Sequence, residues 1–130
     1  MKFRARDLSN KDFAGEDHSG ENFSKDDLSG SNFTHGILIG TQFSGANLSR
    51  AAFRGSNATS GNFTNTNLMG ANFEDAVLLD ANFVGARFDG VTSGGVKGKP
   101  ILPRGGGVVN GGPIEIGSTQ SNRRRFCHGE

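Results

Sequence analysis

The stretch GNFTN TNLMG ANFED AVLLD ANFVG ARFDG, residues 61–90, falls into fives, each with a large apolar residue third: Phe63, Leu68, Phe73, Leu78, Phe83 and Phe88. Outward from it, Phe recurs at every tenth position: Phe3, Phe13, Phe23, Phe33, Phe43 and Phe53. Halfway between stand Leu8, Leu28, Leu38 and Leu48, with His18 and Ala58 in place of Leu. The period of five holds for eighteen units from Met1 to Gly90. On an α-helix five residues advance about 500°, so this apolar set smears around the cylinder. On a flat strand successive five-residue steps land on opposite faces. All the centres point one way only if the chain bends once per unit. That is an all-β solenoid with one short side per five residues.

The alternation of Phe and Leu sets the number of sides. Three sides, fifteen residues per coil, would stack each Phe on a Leu position. Four sides, twenty per coil, stack like on like, with Phe23, Phe43, Phe63 and Phe83 in one column and Phe13, Phe33, Phe53 and Phe73 opposite. The residue two before each centre is small from Ser31 to Ala86 (Gly36, Thr41, Ala46, Ala51, Ser56, Gly61), which fits a second inward position in a tube already filled by Phe and Leu. The residue just before the centre is usually Asn or Asp (Asn22, Asn32, Asn47, Asn62, Asn72, Asn82), side chains that tolerate turns and bond nearby backbone.

The units ANLSR at 46–50, ANFED at 71–75 and ANFVG at 81–85 resemble the A-(D/N)-L-x-x pattern of the pentapeptide repeat family. The resemblance covers residues 1–90 and implies a right-handed quadrilateral β-helix. At about 4.8 Å between stacked coils, some four and a half coils make a rod roughly 20 Å long. Residues 91–117 then read as a glycine-rich capping segment, and 118–130 as a disordered basic tail.

The 130 residues suffice for this one domain and a tail. No stretch approaches the length of a membrane span. The absence of a leader and the single Cys127 predict a reducing, cytoplasmic setting. Cys127-His128 is half a metal site without a second half, so no metal or cofactor is expected. Residues 1–90 carry eight basic and eleven acidic side chains, and residues 91–130 six and two. The result is a weakly acidic rod with a basic tail.

Departures from the repeat mark the candidate sites. In the first coil the inward positions are Arg6, Lys11, Glu16 and Glu21, with Asp26 stacked beneath Arg6. Buried charges are costly unless paired, so these side chains either snorkel to water or form a polar end that docks another chain. His18 takes a centre position there, as a partly solvated filler beside Glu16 and Asp17. On the same side further along, Ile37 and Ile39 flank Leu38, and Val77 and Leu79 flank Leu78, with Asn57 and Thr59 between. Apolar residues clustered outward on a polar rod usually contact something. Three covers are open: the chain's own tail, a second copy, or a foreign protein.

The tail holds a dense run of glycines, Pro100 and Pro103 framing Ile101-Leu102, and Val108 to Ile116, which reads as two short strands about a turn. No nucleophile–base set can be placed, and the Gly105-Gly106-Gly107 run lacks the Lys-Ser/Thr of a phosphate loop. The sequence therefore points away from an enzyme and toward a structural or protein-interaction module. The resemblance implies one alternative, since some family members mimic duplex DNA and bind DNA gyrase. That role needs a continuous acidic stripe, which Arg50, Arg54 and Arg87 interrupt. The run Arg123-Arg124-Arg125 offers a weaker alternative, contact with nucleic acid.

Overall fold

The computed structural model describes residues 5–103, and over that range the chain is a four-sided parallel β-helix. Parallel bridges join residues twenty apart along every side, as in Asp7 to Asp27, Asp27 to Asn47, Asn47 to Asn67 and Asn67 to Arg87. Each side contributes one bridging residue between turns, so among the described residues the ladder is built of isolated bridges. Its hydrogen bonds run continuously between coils: Leu48 N–H donates to Asn67 O (2.7 Å), and Asn67 N–H donates to Ala46 O (3.1 Å). Counted in twenties, residues 5–20 belong to the first coil and residues 81–100 to the fifth, and Ile101 pairs with the coil before it. Phe3, Val108 to Ile116, Arg123 to Arg125 and Cys127-His128 lie outside the described residues.

The bend at every fifth residue is made locally. The Asn or Asp before each centre caps the turn beyond it: Asn62 Oδ1 accepts from Thr64 N–H (3.0 Å), and Asn82 Oδ1 from Val84 N–H (3.0 Å). The carbonyl of the centre then accepts from the N–H three residues on, as Phe43 O does from Ala46 N–H (2.9 Å). The residue before that donor has positive φ, the requirement of a type II turn. Glycine meets it at Gly45, but Arg50 and His35 hold φ of 58° as well. Corner residues stack in columns too, and one column runs Lys25, Gly45, Asn65, Gly85. A Cβ on Gly85 would lie 2.1 Å from Asn65 Oδ1. A side chain at one coil thus occupies the space a second side chain would need at the next.

The core is a column of rings. Phe33, Phe53 and Phe73 stack nearly parallel with centroids 5.1 and 4.7 Å apart, and Phe43, Phe63 and Phe83 do so at 5.0 and 4.7 Å. The two stacks meet edge to face, as in Phe43 with Phe53 at 5.8 Å and 90°. Offset stacks and T-shaped contacts are the arrangements the ring quadrupole favours. Leu28, Leu48 and Leu68 close one of the remaining sides, Leu38, Ala58 and Leu78 the other, all fully buried. Leu8 and Phe13 are only half-buried, packed against the core from the N-terminal coil.

The five-residue grammar ends at Gly90, yet the ladder continues. Thr92 bridges Asn72, Lys97 bridges Val77, and Ile101 bridges Asn82. The reason is an exchange of volumes. Past Gly90 the next two centre positions are small, Ser93 and Gly98, while the inward positions two before them carry Val91 and Val96, both fully buried. The tube stays filled although the Phe/Leu signal has gone. Ile101 then pairs nineteen residues from Asn82 rather than twenty, and Phe83 N–H donates to its carbonyl (2.7 Å).

Candidate interaction surface

The side centred on Leu38 carries the outward apolar residues. Here the bridging residues read Asp17, Ile37, Asn57, Val77 and Lys97 from the first coil to the fifth. The first turn residues beside them read Ser19, Ile39, Thr59 and Leu79, and past Lys97 the register slips before a fifth is reached. Ile37, Ile39 and Leu79 are exposed by 42%, 44% and 48%, values that leave nearly half of each side chain in water. Val77 stands in the same column as Ile37 and is half-buried, between Asn57 and Lys97. The described part of the tail does not cover this face. Gly98 lies against the Leu79 backbone, where an added Cβ would come within 2.7 Å of Leu79 N, and Leu79 stays exposed.

The apolar residues form two pairs rather than one patch. Asn57 and Thr59 separate them, and Thr59 Oγ1 donates to Asn57 Oδ1 (2.6 Å). Lys97 and Lys99, both exposed, give the face a basic end that the sequence reading missed. Continuing the twenty-residue columns past Gly90 would have found it. At the other end stands Asp17, its carboxyl held below the usual carboxylate range by the Ser19 backbone N–H.

The N-terminal coil is closed by charge. Asp26 is buried and takes the Arg6 guanidinium at 2.5 Å, while its Oδ1 accepts from Arg6 N–H (3.0 Å). The guanidinium carbon also sits 5.6 Å from the Phe23 ring centroid. Arg6 itself is half exposed, so its head reaches water while Asp26 does not. The two readings of this ring therefore divide: Lys11, Glu16 and the Arg6 head face water, and the Arg6–Asp26 pair is built in.

His18 faces two carboxylates, Glu21 Oε1 at 2.5 Å from Nδ1 and Glu16 Oε1 at 2.7 Å from Nε2. Both nitrogens can donate only in the imidazolium form. Burial of the ring opposes that charge, but the bonds to Glu21 and Glu16 outweigh it and raise the His18 pKa. The sequence reading placed His18 beside Glu16 and Asp17; the bond to Glu21 needed the turn geometry. Among the described residues no group of His, Cys, Asp and Glu has the arrangement to hold a metal ion. Among them, too, no helix is long and apolar enough to cross a membrane.

Comparisons with known proteins point to one family. The family model for pentapeptide repeats matches in eight copies over residues 27–65 and 61–92. A pentapeptide repeat protein from the Arabidopsis thaliana thylakoid lumen is 33% identical over 72% of this chain and 68% of its own, with a TM-score of 0.43. Another from the cyanobacterium Cyanothece is 20% identical over 74% of this chain and 87% of its own, with a TM-score of 0.50. A plasmid-mediated fluoroquinolone resistance protein is 20% identical over 72% and 73%, with a TM-score of 0.38. Among proteins of curated function, none matches.

Proposed function

The chain belongs to the pentapeptide repeat family, whose fold is the right-handed quadrilateral β-helix, and from that premise we propose that it is a non-catalytic protein-interaction module. Its working surface is the side centred on Leu38. The observation that carries this reading is that Ile37, Ile39 and Leu79 are exposed together on one side, whereas among the described residues the other exposed large apolar side chains are divided, Met69 on the Leu28 side and Val84 and Ile101 on the Phe83 side. Burying such side chains against a partner gains about 25 cal/mol per Å² of apolar area.

Duplex mimicry suits the charge distribution poorly. From Leu28 to Phe73 the chain has no Asp or Glu at all, and Arg50 and Arg54 lie in that interval. The acidic residues fall in two bands at either side of it. A stripe that stands in for a sugar–phosphate backbone needs charge at regular spacing along its length, so this chain should leave gyrase supercoiling unaffected.

The interaction reading is tested with a photo-crosslinking amino acid placed at position 39 and, as control, at position 50 on another side. Adducts with any protein, self or foreign, at position 39 but not at position 50 support it. No adduct at position 39, or equal adducts at both, would sink it.

A further inference from the structure

The Leu38 side is ordered about its own middle. Polar Asn57 and Thr59 sit in the third coil, an apolar pair lies one coil away in each direction, and the two ends carry opposite charge. We propose that this side binds the same side of a second copy, with the two rods antiparallel and a two-fold axis passing through the third coil. The proposal rests on the interaction reading above and names its partner.

The pairing follows from the columns. An axis lying across the face reverses the coil order and keeps each column opposite itself. Ile37 then meets Val77 of the second copy, and Ile39 meets its Leu79. Asp17 meets Lys97 at both ends, as an isologous contact requires. An axis along the rod would instead bring the two Lys97 ends together and leave both Asp17 ends together. Charge complementarity therefore selects the antiparallel arrangement.

The face measures roughly 20 Å by 10 Å, well below the ~800 Å² per partner of a standard interface. Association is consequently weak, with a dissociation constant in the micromolar-to-millimolar range. Its charged ends make it sensitive to ionic strength.

Sedimentation equilibrium on the full chain, from micromolar to millimolar concentration, tests the proposal. The expected result is a monomer–dimer equilibrium that salt weakens. Lys97→Glu places a carboxylate opposite Asp17 of the second copy, so it weakens association and reverses the salt effect. Ile39→Asp and Leu79→Lys each weaken it about tenfold, and the double variant recovers part of that loss because the new charges face each other only in the antiparallel dimer. All three positions are exposed, and unchanged melting temperatures confirm that the variants fold. A monomer at every concentration, a dimer indifferent to these substitutions, or a double variant as weak as the product of the singles would overturn the proposal. Foreign adducts at position 39 from a chain that stays monomeric would overturn it while leaving the broader reading intact.

Discussion

Phe53 and Phe73 lie one coil apart with centroids 4.7 Å apart and ring planes only 2° from parallel. Each also meets a ring of the other stack edge to face: Phe53 meets Phe43 at 5.8 Å, and Phe73 meets Phe83 at 5.7 Å. Every inner ring is therefore held from above, below and the side. The Leu columns on the other two sides are fully buried as well from Leu28 onward, so no loose side chain is at hand to fill a gap.

Truncating one ring should accordingly be expensive. Phe53→Ala leaves a cavity bounded by Phe33 and Phe73 and should destabilise by about 3–5 kcal/mol. Urea unfolding measures this. A loss under about 1 kcal/mol would mean that the coils collapse around the gap and that the stack is not what holds them.

Ser56 predicts the opposite sign. Its hydroxyl is fully buried without a hydrogen-bond partner, whereas Ser31 donates to Leu28 O (2.6 Å) and Thr66 to Phe63 O (2.8 Å) from equivalent positions. Ser56→Ala removes an unsatisfied group and should be neutral or stabilising by up to about 1 kcal/mol, while Ser31→Ala should destabilise by a similar amount. Equal destabilisation in both would show that Ser56 is satisfied after all.

Two glycines separate conformational strain from steric conflict. Gly40 has φ of +67° and nothing within 4 Å of a Cβ, but at Gly98 (φ +99°) a Cβ would lie 2.8 Å from Leu79 Cα. Gly40→Ala should cost about 1 kcal/mol. Gly98→Ala cannot be accommodated without moving the backbone, and should release the pairing of Lys97 and Ile101 from the fourth coil and its neighbour. Hydrogen exchange at the Lys97 amide, which donates to Ala76 O (2.9 Å), distinguishes the two. Retained protection in Gly98→Ala would contradict the placement of this segment.

His18 makes the N-terminal coil sensitive to pH. Its folded-state pKa is raised above the ordinary 6.5, so the stabilisation is complete below that value and is lost as pH rises through the folded pKa. Glu16, Glu21 and Asp17 are the titratable groups around it, and Phe13 and Phe23 pack on its ring. Against His18→Leu, the wild-type melting temperature should fall as pH rises above about 6.5. Parallel melting curves across that window would show that the paired imidazolium contributes nothing.

The fold was legible because period, small-residue rule and capping residue all agree from Ser31 to Gly90. Consistency across those levels is strong evidence for one backbone. What was not legible has a physical cause in each case. The ladder beyond Gly90 was hidden because Val91 and Val96 fill the tube from the position where Ala normally stands, leaving Ser93 and Gly98 as centres. The bond between His18 and Glu21 depends on how a turn folds two side chains together, which a column count does not reveal. The outward position of Ile37, Ile39 and Leu79, by contrast, needed only the register.

The Leu38 side should be the surface through which one copy of this protein meets another. A concentration series of amide and methyl NMR spectra on the full chain tests it most directly. Resonances of Ile37, Ile39, Val77 and Leu79 should move together on dilution while those of Leu28 and Leu48, on another side, stay fixed. Spectra that do not change with concentration, or changes centred on the Leu28 side, would contradict it.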